Sequence, residues 1–118
     1  MIEIKCAAPD VAVSLCERAG VEVQTVLAMT EREHLLGFAC MTLSGEEGVL
    51  SYLEAPDAPL TDALLRAALN NARSTGVKTA HIACQPLRLF MTKKGYLTET
   101  DPERLEIAEF FAKSVCKA

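Results

Sequence analysis

The chain has 118 residues, half of them apolar, with 24% charged residues and a formal net charge of −4. This length predicts one domain over residues 1–118 around a single core. The basic residues are scattered, which argues against a nucleic-acid partner because such a partner requires a clustered basic face. No apolar run approaches the ~20 residues of a membrane span, and the N-terminus lacks a signal pattern, so we expect a cytoplasmic protein without a membrane partner.

The cysteines indicate reduced thiols. They are an odd number, and none of them forms a C-x-x-C pair or another closely spaced group of metal ligands. We therefore expect free thiols and no metal site. The five are Cys6, Cys16, Cys40, Cys84 and Cys116.

Periodicity places a strand and a helix first. Residues 2–5 alternate between apolar and charged types and predict a short strand. A helix follows, with Asp10 as the expected N-cap and Gly20 as its end. Residues 21–30 are rich in β-branched types and predict a second strand.

An antiparallel meander comes next. The polar run 31–34 predicts a turn, and residues 35–43 and 49–55 predict two further strands joined by a short polar turn. Within the first of these, Gly37 indicates a bulge or a close approach of another backbone segment.

The second half alternates helix and strand. We expect a helix between Thr61, as its N-cap, and Gly76, as its end. Its apolar face comprises Leu64, Leu65, Ala68, Leu69 and Ala72. The strand that follows, 77–84, is expected to pair in parallel with 49–55 through this helix.

The C-terminal third is predicted from shorter signals. A helix carrying Leu87, Phe90 and Met91 on one side is expected to end at Gly95. A hairpin should then pair residues 96–100 with 103–107, and a last helix should cover 108–116.

Three segments resemble the GNAT N-acetyltransferase superfamily: EREHLLGFA, DALLRAALNNARSTGVK and LRLFMTKKGYL. In the last of these, Phe90, Gly95 and Tyr96 stand in three places of the family's x-x-F-Y-x-x-x-G-F segment. The resemblance implies an α/β (α+β) fold: a mixed, mostly antiparallel sheet with a splayed parallel pair and helices on both faces. It also implies binding of acetyl-CoA or another acyl-CoA between the splayed strands, and acylation of a small amine or peptide amine.

The family loop that cradles pyrophosphate carries two glycines, and here Pro59 and Thr61 take their places. Proline has no N–H to donate, and without glycine the backbone does not easily adopt positive φ. We therefore expect weakened cofactor binding, which glycine at both positions should tighten. The cofactor contacts implied by the resemblance are Leu53, Ala55, Pro59, Leu60, Thr61, Asp62 and Phe90.

Three residues could carry the chemistry of acyl transfer, which requires deprotonation of the amine. Glu54 is the first candidate for the general base, although a solvated glutamate at a strand end is the commoner interpretation. His81 could act as base or acid near neutral pH, or simply bond to backbone. Tyr52 shares a strand face with Glu54 and could replace the acid that Met91, in the place of the family's tyrosine, cannot supply. Cys84 ends the fifth strand but has no partner nearby in sequence to lower its pKa.

Two other interpretations remain open. The chain could be a non-catalytic domain of the same fold, used for sensing a small-molecule ligand or for self-association through a sheet edge or Phe110 and Phe111. It could also be an unrelated α/β domain with another strand order. Only one predicted helix separates the first two strands, so the acceptor side should be open or completed by a second copy in a homodimer.

Overall fold

The computed structural model of the protein describes residues 1–97, 101 and 103–116, with side chains described up to residue 112. Within these residues the chain forms one six-stranded sheet and four helices. In chain order they are β1 (Ile2–Cys6), α1 (Pro9–Ala19), β2 (Thr25–Glu31), β3 (His34–Ser44), β4 (Glu47–Glu54), α2 (Ala58–Ser74), β5 (Thr79–Ile82), α3 (Gln85–Lys93), β6 (Arg104–Glu106) and α4 (Ile107–Cys116).

The strands lie side by side in chain order. β1 to β4 form the predicted antiparallel meander, β4 and β5 are parallel, and β6 is antiparallel to β5. α2 makes the crossover between β4 and β5, as its apolar face and short connections require. The predicted mixed, mostly antiparallel sheet with one parallel pair is therefore confirmed.

The main core lies on one face of the sheet, beneath α2, α3 and α4. The five apolar positions predicted for α2 are all fully buried there, together with Leu50 and Ile82 of the parallel strands. α1 covers part of the opposite face and encloses a smaller cluster around Cys16 and Phe38. Helices thus pack on both faces, as predicted.

Two irregularities shape the central strands. β2 and β3 shift register at Leu36, next to Gly37, where a side chain would meet the carbonyl oxygen of Glu54 and the Cα of Ala55. The close approach predicted at Gly37 is confirmed. β3 and β4 shift register at Ser51, since Cys40 lies opposite Tyr52 and Met41 opposite Leu50. Such bulges bend a strand and increase its local twist.

Several predicted boundaries were wrong. Ala8, not Asp10, is the N-cap of α1, because Pro9 occupies the first helical position that suits proline. The second strand begins at Thr25 instead of residue 21. Asp57, not Thr61, is the N-cap of α2, so the cap lies four residues before the predicted one.

The C-terminal prediction is tested only in part. β6 pairs with β5, with Leu105 opposite Ala80, and the predicted partner segment 96–100 includes residues 98–100, which lie outside the described residues. Among the described residues, no helix is long and apolar enough to cross a membrane.

Candidate functional site

The candidate site lies where β4 and β5 separate. Their parallel pairing runs from Glu47 and Thr79 to Leu50 and Ile82, and the Ala83 N–H donates a last bond to the Leu50 carbonyl at 3.0 Å. β4 then continues to Glu54 along β3, while the chain after β5 turns into α3. The bulge at Ser51 coincides with this separation. Crevices at the carboxyl ends of parallel strands are common ligand sites.

A cleft of about 210 Å³ occupies this separation, between the end of β4 and the first turns of α2 and α3. It is lined by Leu53, Glu54, Ala55, Thr61, Pro86, Leu87 and Phe90. Four residues that the resemblance implied as cofactor contacts are therefore at the cleft, namely Leu53, Ala55, Thr61 and Phe90.

Three other implied contacts, Pro59, Leu60 and Asp62, do not line the cleft, whereas Pro86 and Leu87 do. Neither residue was predicted from the sequence as a contact. The signal was available, because α3 begins three residues after β5 and its first turn must lie at the carboxyl edge of the parallel pair.

Glu54 is held by two partners at the end of β4. The Tyr52 hydroxyl donates to Glu54 Oε1 at 2.7 Å, and Arg18 Nη2 of α1 approaches Glu54 Oε2 at 3.1 Å. The side chain is 35% exposed, so it borders both the cleft and solvent. Each carboxylate oxygen has two lone-pair sites, which leaves acceptor capacity for a further donor.

Tyr52 is a poor proton donor in this arrangement. Its hydrogen bond to Glu54, together with burial and the negative charge of that carboxylate, raises the pKa of Tyr52 to about 12. Its ring also packs against Phe38, with 5.2 Å between the ring centres, and the Arg18 guanidinium lies 5.6 Å from the centre of the Phe38 ring. Tyr52 therefore positions Glu54 at neutral pH and keeps its own proton.

His81 lies apart from this pair. It is half-buried in β5, opposite Val49 of β4 and Arg104 of β6. Val49 precedes Tyr52 by three residues, or roughly 10 Å along an extended strand. The structure thus brings Tyr52 and Glu54 together but leaves His81 in the region where the strands are still paired.

The N-terminus of α2 is occupied by the chain's own carboxylate. Asp57 accepts a hydrogen bond from the Leu60 N–H at 2.9 Å, and its backbone carbonyl accepts the Thr61 N–H at 2.9 Å. Pro59 has no N–H. Helix N-termini bind anions through free N–H groups, and in the first turn of α2 the N–H groups of Leu60 and Thr61 already have partners.

Asp62 belongs to a structural network. It accepts hydrogen bonds from the Tyr96 hydroxyl and from Arg66 Nε, each at 2.7 Å. Burial acts to raise the pKa of Asp62, but the bonds from Tyr96 and Arg66 and the Arg66 charge outweigh it, so this pKa lies below its ordinary value. Arg66 also stacks over Phe110 at 5.2 Å. The network ties α2 to the segment after α3 and to α4.

Met91 lies in the core and not at the cleft. The side chain is 0% exposed and packs in the core beneath α2, and it does not line the cleft. The residue in the place of the family's tyrosine therefore contributes packing to the fold.

Comparisons with known proteins agree at the level of the fold. No family model and no curated protein matches the sequence. Solved structures do match. A GNAT-family protein from Desulfovibrio desulfuricans has a TM-score of 0.67 at 15% identity, covering 91% of this chain and 99% of its own. The ribosomal-protein-S18-alanine N-acetyltransferase from Escherichia coli has a TM-score of 0.65 at 15% identity, covering 91% and 94%.

A third structure, a GNAT-family acetyltransferase from Brucella melitensis in complex with acetyl-CoA, has a TM-score of 0.64 at 14% identity, covering 90% of this chain and 88% of its own. The chain has the GNAT fold. The resemblance found in the sequence is thus confirmed for the fold, and the parting of β4 and β5 is the feature of that fold which forms the cleft.

The cleft and the N-terminus of α2 differ in how well they fit the two ends of an acyl-CoA molecule. The cleft offers apolar side chains and a strand edge that could receive an acyl thioester and its extended arm. The pyrophosphate end does not fit the N-terminus of α2, because Asp57 already occupies the donor at Leu60 and Pro59 provides none.

Proposed function

We propose that this protein is a divergent GNAT-type N-acyltransferase, which binds an acyl thioester such as acetyl-CoA or another acyl-CoA in the cleft and acylates an amine. The observation that carries the proposal is the separation of β4 and β5 beyond Leu50 and Ile82, which leaves a lined cleft at the end of the parallel pair. The fold shared with acetyltransferases supports the same class of reaction.

Glu54 is the residue that we assign as general base. It lines the cleft, it is partly exposed, and Tyr52 and Arg18 fix the orientation of its carboxylate. The amine nitrogen attacks the carbonyl carbon of the bound thioester, so that the C–N bond forms, the C–S bond breaks and the thiolate leaves with the electron pair. Glu54 takes the proton that the amine nitrogen loses, and the thiolate takes its proton from water. Tyr52 and Arg18 are positioning residues in this proposal. His81 remains a weaker candidate for proton transfer because of its distance from the pair.

The acceptor side suits a small amine or an accessible peptide amine. Only α1 lies between β1 and β2, and residues 21–24 form no further helix. The mouth next to Arg18 is therefore open unless a second copy of the chain covers it. We place this activity in the cytoplasm, where acyl-CoA and reduced thiols occur together.

A second function is ligand binding without acyl transfer, in a sensing role. Two observations favour it: Met91 is buried in the core, and the raised pKa of Tyr52 makes this hydroxyl a poor acid. Phe110 and Phe111 offer little surface for self-association, because Phe110 is 4% exposed and packs edge to face on Tyr96 and Phe111 is half-buried. The exposed edge strand β1 remains available for pairing with a second copy.

Acetyl transfer to a panel of amines tests the proposal, with thioester loss followed by absorbance and the product identified by mass spectrometry. Glu54→Gln should lower the rate by about 10²- to 10⁴-fold, the usual contribution of a general base. Glu47→Gln is the matched control, since Glu47 also lies in β4 and pairs with an arginine, Arg104, at 3.0 Å. It should retain the wild-type rate.

Calorimetric titration with acetyl-CoA distinguishes the two functions. Binding without turnover of any amine would favour ligand sensing. Equal rates for Glu54→Gln and the wild type would exclude Glu54 as the base, and the absence of both binding and turnover would contradict the proposal.

A further inference from the structure

The N-terminus of α2, at the edge of the cleft, already binds a carboxylate of the protein itself. Thr61, in the first turn of α2, lines the cleft, so a ligand there lies beside the N-terminus of this helix. That terminus is capped by Asp57, and the Thr61 hydroxyl also donates to the Asp57 carbonyl at 2.8 Å. A negative charge at a helix N-terminus is stabilised by the helix dipole, and it repels a second anion at the same place.

The charges around the cleft also disfavour the binding of a phosphate. Glu54 lines the cleft, and two nearby cations are engaged: Arg18 with Glu54 at 3.1 Å, and Arg66 with Asp62 at 2.7 Å. Lys94 lies with its ammonium 5.8 Å from the centre of the Phe90 ring. A phosphate at this edge would therefore meet the carboxylates of Glu54 and Asp57, while Arg18 and Arg66 are already paired with carboxylates of the protein.

The walls of the cleft offer a different kind of contact. Leu53, Ala55, Leu87 and Phe90 provide apolar surface. Beyond Leu50, the β5 side of β4 has no strand partner among the described residues. An extended, uncharged chain that carries amide groups matches both features, because backbone groups of a free strand edge pair with amides.

We propose that this site recognises its donor by the acyl thioester and the pantetheine arm and gains no affinity from the phosphates. This inference rests on the function proposed above and names the part of the donor that the site selects. The physiological donor is then any acyl thioester with a pantetheine-like arm, and the nucleotide of coenzyme A is not required.

The test compares two donors in binding experiments with the intact chain. Acetyl-CoA and S-acetylpantetheine are titrated separately by calorimetry, with isotope-labelled amide shifts as a second readout. One charge-assisted hydrogen bond to a phosphate contributes about tenfold in affinity or more. We expect the two dissociation constants to differ by less than about tenfold, with little dependence on salt.

A dissociation constant for acetyl-CoA that is tenfold or more below that of S-acetylpantetheine would overturn the inference and leave the proposed function intact. Failure of both compounds to bind at millimolar concentration would instead overturn the proposed function.

Two variants test how Asp57 and Lys94 affect the binding of the phosphates. Asp57→Ser keeps a good N-cap and removes the charge, so acetyl-CoA should bind about two- to fivefold more tightly while S-acetylpantetheine is unaffected. An unchanged acetyl-CoA affinity would overturn the role given to Asp57. Lys94→Gln should not alter the ratio of the two constants, and a selective loss of acetyl-CoA binding there would show that a phosphate is recognised after all.

The glycine substitutions suggested by the sequence are a weaker test. Thr61 lies inside α2, where glycine costs about 1 kcal/mol, and replacing Pro59 and Thr61 leaves the Asp57 carboxylate in place. We therefore expect the double glycine variant to tighten acetyl-CoA binding less than Asp57→Ser does, and the opposite order would count against the inference.

Discussion

The two faces of the sheet differ in how completely they are covered. Beneath α2, α3 and α4 the packing is continuous and apolar, and Leu64, Leu65 and Leu69 are fully buried. On the opposite face α1 covers a smaller cluster, and at its margin the apolar surface gives way to Tyr52, Glu54 and Arg18. We therefore expect most of the stability to come from the α2 face, while the polar groups of the proposed site lie at the margin of the other face.

Truncation of one core leucine on each face should give the largest difference in unfolding free energy. Leu65→Ala, on the α2 face at 0% exposure, should cost about 3 to 5 kcal/mol of unfolding free energy. Leu15→Ala, on the α1 face at 8% exposure, should cost about 2 kcal/mol, because the smaller cluster can relax towards solvent. Urea denaturation measures both. Equal losses would contradict the comparison.

A methyl group added at Gly37, where β3 approaches the end of β4, should have the next largest effect on stability. The Cβ of Gly37→Ala would press on the backbone of Glu54 and Ala55, at a cost of about 1 to 3 kcal/mol. Gly48→Ala is the control, since its new Cβ meets side-chain atoms of Val77 and Leu43 at 3.3 and 3.5 Å. The midpoint of thermal unfolding should be lower for Gly37→Ala than for Gly48→Ala. The reverse order would show that the backbone around Gly37 can move away from that of Glu54 and Ala55.

The Asp62 network should contribute about 1 kcal/mol, because its groups are only partly buried. The pKa of Asp62 is lowered below 3.8 in the folded state, so this stabilisation is present above the unfolded pKa and is lost as the pH falls through the folded one. Asp62→Asn should therefore be less stable than the wild type at pH 7, and the difference should shrink as the pH falls below the ordinary pKa range of an aspartate. A stability difference that persists in acid would contradict this electrostatic origin.

Titration of Tyr52 offers a smaller but site-specific test. The sequence has two tyrosines and no tryptophan, so in the Tyr96→Phe variant the phenolate absorbance reports Tyr52 alone. Its midpoint should be at about pH 12. Because this pKa is raised, the stabilisation by the Tyr52 hydrogen bond is complete below pH 10 and is lost as the pH rises towards 12. A midpoint near 10 in folded protein would mean that Tyr52 does not donate to Glu54.

The fold could be predicted from the sequence where a local pattern of residues determined the structure. The helical spacing of apolar residues identified the buried face of α2, and Gly37 identified the close approach. The cap of α2 could not be decided in the same way, because Asp57 and Thr61 are both good N-caps. Proline suits the first turn of a helix, so Pro59 was the signal in favour of Asp57.

The candidate site depended on contacts that no local pattern contains. Arg18 meets Glu54 across 36 positions of sequence, because the fold brings the last turn of α1 to the end of β4. The Tyr52 and Glu54 pair could be predicted from strand alternation, whereas the position of His81 depended on where β4 and β5 part. That point coincides with the Ser51 bulge, for which the sequence has no glycine signal.

Amide chemical-shift mapping with S-acetylpantetheine tests the central claim most directly, that the cleft between β4 and β5 is the donor site. We predict saturable shifts at Leu53, Ala55, Leu87 and Phe90, which line the cleft, and none along β1 at the far edge of the sheet. Shifts confined to β1, or spread without saturation over the surface, would contradict it.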